Sequence, residues 1–464
     1  MPDSISYVAR IRLEAPNRGM ISIFQNVHQE PENVPIKDPL EDCSKCNQPT
    51  NHWLTPHIPL CPICAEKQSF NFPVVFGHTI LDVALAEIGI GFLVVGRVHL
   101  ATLILQHVPA HLAPLIQEGV NYMASKCNLP HSVKVVCLGK IPVMESQNFI
   151  DEPSVPTLRK FADGAKGNLL LSGGGLDSST TALVLAVAGI PYETLFFSFG
   201  QAARNYEWES INLIDSYNVE NIPTWQPKST RLEVNLSILR RGLAAFEDIS
   251  NEGTFPCRNW FLYFTSLASI EYTPRNVFIN IFKGEFDDNH ADHSPRTFDI
   301  FQRILMAYSG NDCHLLTPFK YLDKSDLAYI LRQKFPAVPV AKIRSCYCFF
   351  RNTCGGCTGC VNKFVSIIHA GFTFEDFGPS RIDPRKATKL WIKYWDSIFS
   401  DKYPDSRRAE IAYVCNQFLS FKPTPMTDTE KPIFEKYLAL DLENRSSRSA
   451  LDIERSINLA IQER

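Results

Sequence analysis

Residues 169–183 read LLLSGGGLDSSTTAL. An apolar run breaks into three consecutive glycines, then an aspartate and a run of hydroxyls. The pattern predicts a strand over 168–172 that hands over to a helix starting near Ser178. Glycines at such a junction let backbone N–H groups converge on one point. The helix N-terminus adds its unpaired N–H groups and the positive end of its dipole. The result is an anion site, for which a phosphate is the usual occupant. No Gly-Lys-Ser/Thr follows, so the loop is not a Walker loop. Its glycines are consecutive rather than spaced, so it is not a dinucleotide fingerprint either. Leu171, Ser172, Gly173, Gly174, Gly175, Leu176, Asp177, Ser178 and Ser179 are the candidate phosphate-binding residues.

A chain of 464 residues is too long for one ordinary domain, and three blocks emerge. The first, 1–150, opens on the strand-like alternation SYVARIRLEA and reads as an α/β domain. The second, 164–370, alternates buried-strand runs (GNLLLS, YETLFFSF, NVFINIF, HLLTPF) with helical patterns (SSTTALVLAVAG, NYEWESINLIDSYN, NWFLYFTSLASIEY, KSDLAYILRQKF). That alternation predicts an α/β fold with a doubly wound parallel sheet. The third, 371–464, reads as a helical extension. From Arg381 onward it holds 15 basic and 13 acidic residues, a balance that suits packing or partner binding better than a nucleic-acid arm.

The formal net charge of −3 argues against nonspecific polyanion binding. The most apolar stretch, HTILDVALAEIGIGFLVVGRVHLATLILQH, is interrupted by Asp82, Glu87, Arg97 and His99. It never reaches the ~18–20 uninterrupted apolar residues of a span, so it predicts buried helix and strand rather than a membrane helix. The opening residues lack the pattern of an export signal, which predicts a cytoplasmic protein. In a reducing compartment, 14 cysteines point to metal ligation rather than disulfides. Cys43, Cys46, Cys61 and Cys64 give Cys-x2-Cys-x14-Cys-x2-Cys, a zinc-ribbon spacing at 43–64. Its role, whether structural, protein-docking or RNA-binding, is left open. A second group occupies SCYCFFRNTCGGCTGC, and the scattered cysteines read as small buried hydrophobes.

The segment Gly-Gly-Leu-Asp-Ser-Ser resembles the pyrophosphate loop of the PP-loop ATP pyrophosphatases, Ser-Gly-Gly-x-Asp-Ser. Aligned on Asp177, the family's serine falls on Gly173, and the expectation is that Ser172 or a backbone N–H substitutes. Further matches single out the QueC branch. SFGQAARNYEWE is similar to its Tyr-Gly-Gln segment. FPCRNWFLYFTSLAS resembles its Val-Pro-Gly-Arg-Asn helix start, with Pro256, Arg258 and Asn259 in register. KGEFDDNHADHSPRTFDIF resembles its substrate loop, without the Tyr-Pro-Asp core. LLTPFKYLDKSDLAYIL matches at Thr317, Pro318 and Lys324. The family's four zinc cysteines, Cys-x8-Cys-x2-Cys-x2-Cys, fall on Cys346, Cys354, Cys357 and Cys360 with a first spacing of seven, Cys346 being favoured over Cys348.

The resemblance implies an ATP-dependent carbon–nitrogen ligase that adenylates the carboxylate of 7-carboxy-7-deazaguanine, with ATP and Mg²⁺ at the loop and a structural zinc. It implies that Asp177 organises the loop or an Mg²⁺, and that Lys324 and Arg258 neutralise developing charge. Phe199, Gln201, Asn259 and Asp288 are the candidate substrate contacts, with Tyr206 and Trp260 as further aromatic walls or core residues. Asp287, Asp288 and Asp292 fit Mg²⁺, the base edge or a solvated acidic loop. The amine is ammonia in queuosine biosynthesis. In a divergent branch found in antiviral defence operons (Qat and type IV CBASS), it is the N-terminus of a protein. The long flanking blocks favour a protein acceptor here. A homodimer is left open, and a noncatalytic nucleotide-binding scaffold is the rival from another class.

Overall fold

A computed structural model of the chain describes residues 7–15, 17–25, 41–42, 49–50, 53–55, 58–59, 70–96, 98, 100–126, 132–139, 167–198, 202–233, 258–283, 293–310, 313–346, 348, 353–386, 395–399, 405–418 and 426–447. Contacts divide it into two compact units. One takes Met1–Ala162 with Val234–Glu271, the other Asp163–Glu233 with Tyr272–Arg464.

In the first unit, β1 (Tyr7–Ala15) pairs antiparallel with β2 (Arg18–Gln25). Two short ladders follow, β3 (Glu41–Asp42) with β4 (Pro49–Thr50), and β5 (Trp53–Thr55) with β6 (Ile58–Pro59). The cysteines of the predicted ribbon, Cys43, Cys46, Cys61 and Cys64, lie outside the described residues. β7 (Phe70–Val75), β8 (Leu100–Leu105) and β9 (Lys134–Cys137) complete a mixed sheet in the order β7-β2-β1-β8-β9.

The apolar stretch forms helix α1 (Val83–Val95), started by Asp82, whose side chain accepts the Leu85 N–H at 3.1 Å. Every residue of α1 is buried, as expected of a helix apolar on all sides. Its one carboxylate, Glu87, is satisfied by the Leu13 and His107 N–H groups, at 3.2 and 2.7 Å, and by His107 Nδ1 at 2.6 Å. Helix α2 (Ala113–Lys126) covers β9. Among the described residues, no helix is long and apolar enough to cross a membrane.

The second unit is built on five parallel strands: β10 (Asn168–Ser172), β11 (Glu193–Ser198), β12 (Ser229–Glu233), β13 (Asn276–Ile279) and β14 (His314–Leu316). Their order is β12-β11-β10-β13-β14, with every pairing parallel. The apolar composition of β10 and β11 fits strands covered on both faces. The order reverses direction at β10. Such a switch point leaves a crevice at the carboxyl ends of the strands, where open α/β sheets bind ligands.

The connecting helices are α3 (Leu176–Val187) and α4 (Ala202–Asn221). Helix α5 (Arg258–Ser269) leaves this unit and packs in the first one, on α1. There Trp260 is buried against Phe92, with centroids 4.3 Å apart. An added Cβ on Gly89 would meet Phe264 Cβ at 3.0 Å, so the glycine permits the close approach of α1 and α5. Then come α6 (Pro295–Ser309), α7 (Lys324–Lys334) and α8 (Thr358–His369). The extension supplies α9 (Asp405–Phe418) and α10 (Glu430–Ser447), whose apolar residues join the core of the second unit. The scattered cysteines Cys137, Cys313 and Cys415 are buried, and burial pushes each thiol up to about 12.

Candidate active site

The glycine loop leaves β10 at the switch point. Ser172 ends the strand, and its buried hydroxyl accepts the Gly174 N–H at 3.2 Å. This bond turns the chain back within two residues. Gly174 has a positive φ of 66°, and its backbone lies against Glu207 of α4. Gly175 caps α3 in extended conformation without a side-chain hydrogen bond at the helix end. The first helical bond is Ser179 N to Gly175 O at 3.0 Å. The N–H groups before it therefore project from the helix end, a ready anion site. Ser178 Oγ donates to Gly175 O at 3.2 Å, so this hydroxyl serves the turn itself.

Asp177 projects from the first turn of α3. Its Oδ2 accepts from Lys324 Nζ at 2.7 Å, and both side chains are largely buried, at 19% and 11% exposure. The Lys324 ammonium also stands 5.0 Å from the Phe282 ring centroid. The other carboxylate oxygen, Asp177 Oδ1, is buried without a hydrogen-bond partner among the described residues. Asn280, just beyond β13, repeats the arrangement. Its Nδ2 donates to Leu171 O at 2.6 Å, while its Oδ1 is buried and unpartnered among the described residues. Buried polar atoms are rarely left unpaired, so two of them beside a phosphate-type loop mark where a bound group would add contacts. Asn280 is not among the residues expected from the sequence. The available signal was a polar residue interrupting the apolar run NVFINIF at its carboxyl end.

Of the other expected residues, Arg258 and Asn259 open α5 in the first unit. Phe199, Gln201 and Asp288 lie outside the described residues, as do Asp287 and Asp292. Tyr206 of α4 is half-buried, with the Arg344 guanidinium 4.7 Å from its ring centroid. Arg344 was also missed. Its backbone N–H donates to Ser210 Oγ at 2.9 Å, Nη2 donates to Cys348 O at 2.9 Å, and its carbonyl lies near Gly175. It therefore links the cysteine segment, α4 and the glycine loop. The basic residue directly before SCYC was its only trace in the sequence.

The cysteine segment gathers five thiols. Cys346, Cys348, Cys354 and Cys357 have sulfurs within 4.8 Å of one another, and Cys360 Sγ is 3.8 Å from Cys354 Sγ. The mutual set thus includes Cys348, where the spacing favoured Cys360. The donors fit a tetrahedral thiolate centre such as a structural zinc site. The Cys348 and Cys354 N–H groups donate to Cys346 Sγ at 3.4 and 3.3 Å, and those of Gly356 and Cys357 to Cys354 Sγ at 3.4 and 3.2 Å. Such bonds stabilise thiolates and orient ligands. Thiol hydrogen bonds from Cys357 and Cys360 hold the Cys346 thiol well below the usual range. A bound metal would close the segment into a rigid knot. Behind it, the fully buried Lys363 donates to the carbonyls of Val340 and Ile343, both at 2.8 Å.

A parallel sheet with a glycine-rich loop and a helix lacking a side-chain cap at its switch point, joined by an acidic–basic pair, defines an α/β domain built to receive an anion at the carboxyl ends of its strands. Residues 167–370 match the family described as queuosine biosynthesis protein QueC, so the chain carries a QueC-like PP-loop domain. The 7-cyano-7-deazaguanine synthase of Microcystis aeruginosa is 26% identical over 220 residues, covering 45% of this chain and 93% of the relative. The synthase of Thermoplasma volcanium is 25% identical over 216 residues, covering 45% and 88%. That of Methanothrix thermoacetophila is 25% identical over 216 residues, covering 43% and 93%.

Proposed function

We propose that this protein uses ATP to activate the carboxylate of 7-carboxy-7-deazaguanine and joins it to an amine. The observation that carries the reading is the Asp177–Lys324 pair at the uncapped end of α3, within the segment that matches QueC. A carboxylate oxygen of the substrate attacks the α-phosphorus of ATP. The bond to the bridging oxygen breaks, and pyrophosphate leaves toward the N–H groups of the loop. Lys324 neutralises charge on the phosphates. Asp177 Oδ1, buried without a hydrogen-bond partner among the described residues, would take an Mg²⁺ that accompanies ATP. The amine nitrogen then attacks the acyl carbon, AMP departs with its oxygen, and the amine proton passes to solvent. Holding the two reactants together supplies much of the rate.

The preferred acceptor is the N-terminal amine of a partner protein in antiviral defence. Support comes from the flanking segments 1–166 and 371–464, which lie outside the QueC match and offer surface for a macromolecule. A second reading follows from the relatives' own activity: ammonia as the amine, with dehydration of the amide to 7-cyano-7-deazaguanine. The protein is proposed to work in the cytoplasm. Hydroxylamine tests the shared step by trapping an acyl-adenylate as the hydroxamate. The reading requires hydroxamate that depends on both ATP and 7-carboxy-7-deazaguanine. Its absence in protein that binds MgATP would leave a noncatalytic nucleotide-binding scaffold. Intact mass spectrometry of co-expressed neighbouring proteins separates the acceptors, since an N-terminal adduct supports conjugation and free nitrile rejects it.

A further inference from the structure

Between α7 and the cysteine cluster the chain makes one turn of 3-10 helix, Val340–Lys342, and Ile343 follows in extended conformation. The next carbonyl, of Arg344, borders the glycine loop. An added Cβ on Gly175, the residue that caps α3, would stand 3.7 Å from its oxygen. Segment 340–344 belongs to no strand among the described residues, so side chains must hold it. Two buried ones do. Lys363 of α8 donates from Nζ to the Val340 and Ile343 carbonyls, both at 2.8 Å. Ser210 of α4 accepts the Arg344 N–H at 2.9 Å. Its hydroxyl also stands 3.2 Å from the Lys342 carbonyl oxygen and 3.1 Å from that of Tyr206. Lys363 and Ser210 are each 1% exposed.

Taking an ammonium group out of water is costly, and an apolar side chain of similar volume would serve the core alone as well or better. A buried lysine here is accounted for by what it fixes, and both of its carbonyl partners lie in segment 340–344. We propose that Lys363 and Ser210 are positioning residues of the nucleotide site: they hold segment 340–344 against Gly175 and so keep the N–H groups of the loop aimed at the phosphates. The proposal rests on the reading of the glycine loop as the nucleotide site. Lys363 lies one turn beyond Cys360 on α8, a helix capped by Cys357. The helix that carries two of the clustered thiols therefore also supports the loop.

The surroundings of the three glycines agree with this role. An added Cβ on Gly173 would meet nothing within 4 Å, whereas Gly174 is backed by the Glu207 backbone and Gly175 by the Arg344 carbonyl. The loop is thus open on one side and supported on the other. Donors that are already aligned need no reorganisation when charge arrives, so their alignment depends on the supported side. Helix α4 supplies Glu207 to that side directly, and Ser210 and Lys363 supply Arg344 to it by fixing segment 340–344.

Amide hydrogen exchange of the full-length protein, read by peptide mass spectrometry, tests the proposal without requiring catalysis. Lys363→Met keeps the length of the side chain and removes its donors. The expected result is severalfold faster exchange in peptides covering 172–180 and 340–346, with exchange over α6 unchanged. MgATP binding should weaken about tenfold, the scale of a lost charge-assisted contact. Ser210→Ala removes the other contact if Lys363→Met fails to fold, and should shift the same peptides by less. Tyr192→Phe is the control. It deletes a buried hydrogen bond of 2.9 Å to the Ala182 carbonyl, further along α3 from the loop, and should leave the 172–180 peptide and MgATP affinity unchanged. The proposal is overturned if Lys363→Met frees 340–346 while the 172–180 peptide and MgATP affinity stay as in wild type. It is also overturned if Tyr192→Phe loosens the 172–180 peptide as much as Lys363→Met does. Wild-type protein that fails to bind MgATP would sink the nucleotide reading, while the exchange comparison would still decide whether Lys363 holds the loop.

Discussion

An added Cβ at Gly174 would sit 2.2 Å from the Glu207 carbonyl oxygen on a backbone with φ of 66°, whereas one at Gly173 would meet nothing within 4 Å. The two glycines are therefore not equivalent. Gly173→Ser, which restores the PP-loop serine, should change stability by no more than ~0.5 kcal/mol and preserve nucleotide binding. Gly174→Ala should cost about 2 kcal/mol through strain and overpacking and abolish MgATP binding. Thermal unfolding and calorimetric titration of the pair check both outcomes. The triple glycine identified the loop from sequence, but which glycine the fold requires depends on α4, 33 residues further on, and local pattern does not contain that. Asn280 escaped notice for the same reason, since its partner Leu171 lies 109 positions away. Asn280→Ala should lose about 1 kcal/mol of stability and weaken MgATP binding by more than that figure alone accounts for, since the buried Oδ1, unpartnered among the described residues, is a contact a bound nucleotide would complete.

Among the elements, the parallel strands and the helix after the loop were legible because short apolar runs alternate with helical periodicity. The placement of α5 was not. Its sequence matches a QueC helix start, yet its apolar face packs on α1 in the first unit. That choice is made by Phe92, Phe264 and the gap at Gly89. The cysteine segment was legible as a cluster able to hold a metal, but which four thiols would hold it was not, because Cys348 and Cys360 both approach the cluster in space. Cys354→Ser should release one equivalent of zinc and lower the melting temperature. Comparison of Cys348→Ser with Cys360→Ser by metal content identifies the ligand, as only its loss lowers the content. The capping turn of α7 predicts a pH effect. Asp323 binds its proton more tightly folded than unfolded, so the folded state holds more protons between about 4 and about 7. Its contribution to stability is therefore present at low pH and lost as pH rises through about 7. Asp323→Asn should flatten that part of the stability–pH curve in chemical denaturation. An unchanged slope would show that the carboxyl is ionised throughout.

At the scale of the whole molecule, a QueC-like domain is combined with segments that compact synthases of the family do not carry. Helices α9 and α10 build apolar residues into the core of the second unit, and Ser406 Oγ of α9 stands 3.5 Å from Asp323 Oδ1, next to Lys324. The balanced charge of this region had already spoken against a nucleic-acid arm, but its connection to the candidate site became visible only through contacts distant in sequence. The central claim is that this unit adenylates a deazaguanine carboxylate. Exchange of labelled pyrophosphate into ATP tests it most directly, since it reports reversal of that single step whatever amine follows. Exchange should depend on 7-carboxy-7-deazaguanine and be lost in Asp177→Ala. Wild-type protein that binds MgATP and the deazaguanine yet shows no exchange, or exchange that survives in Asp177→Ala, would contradict it.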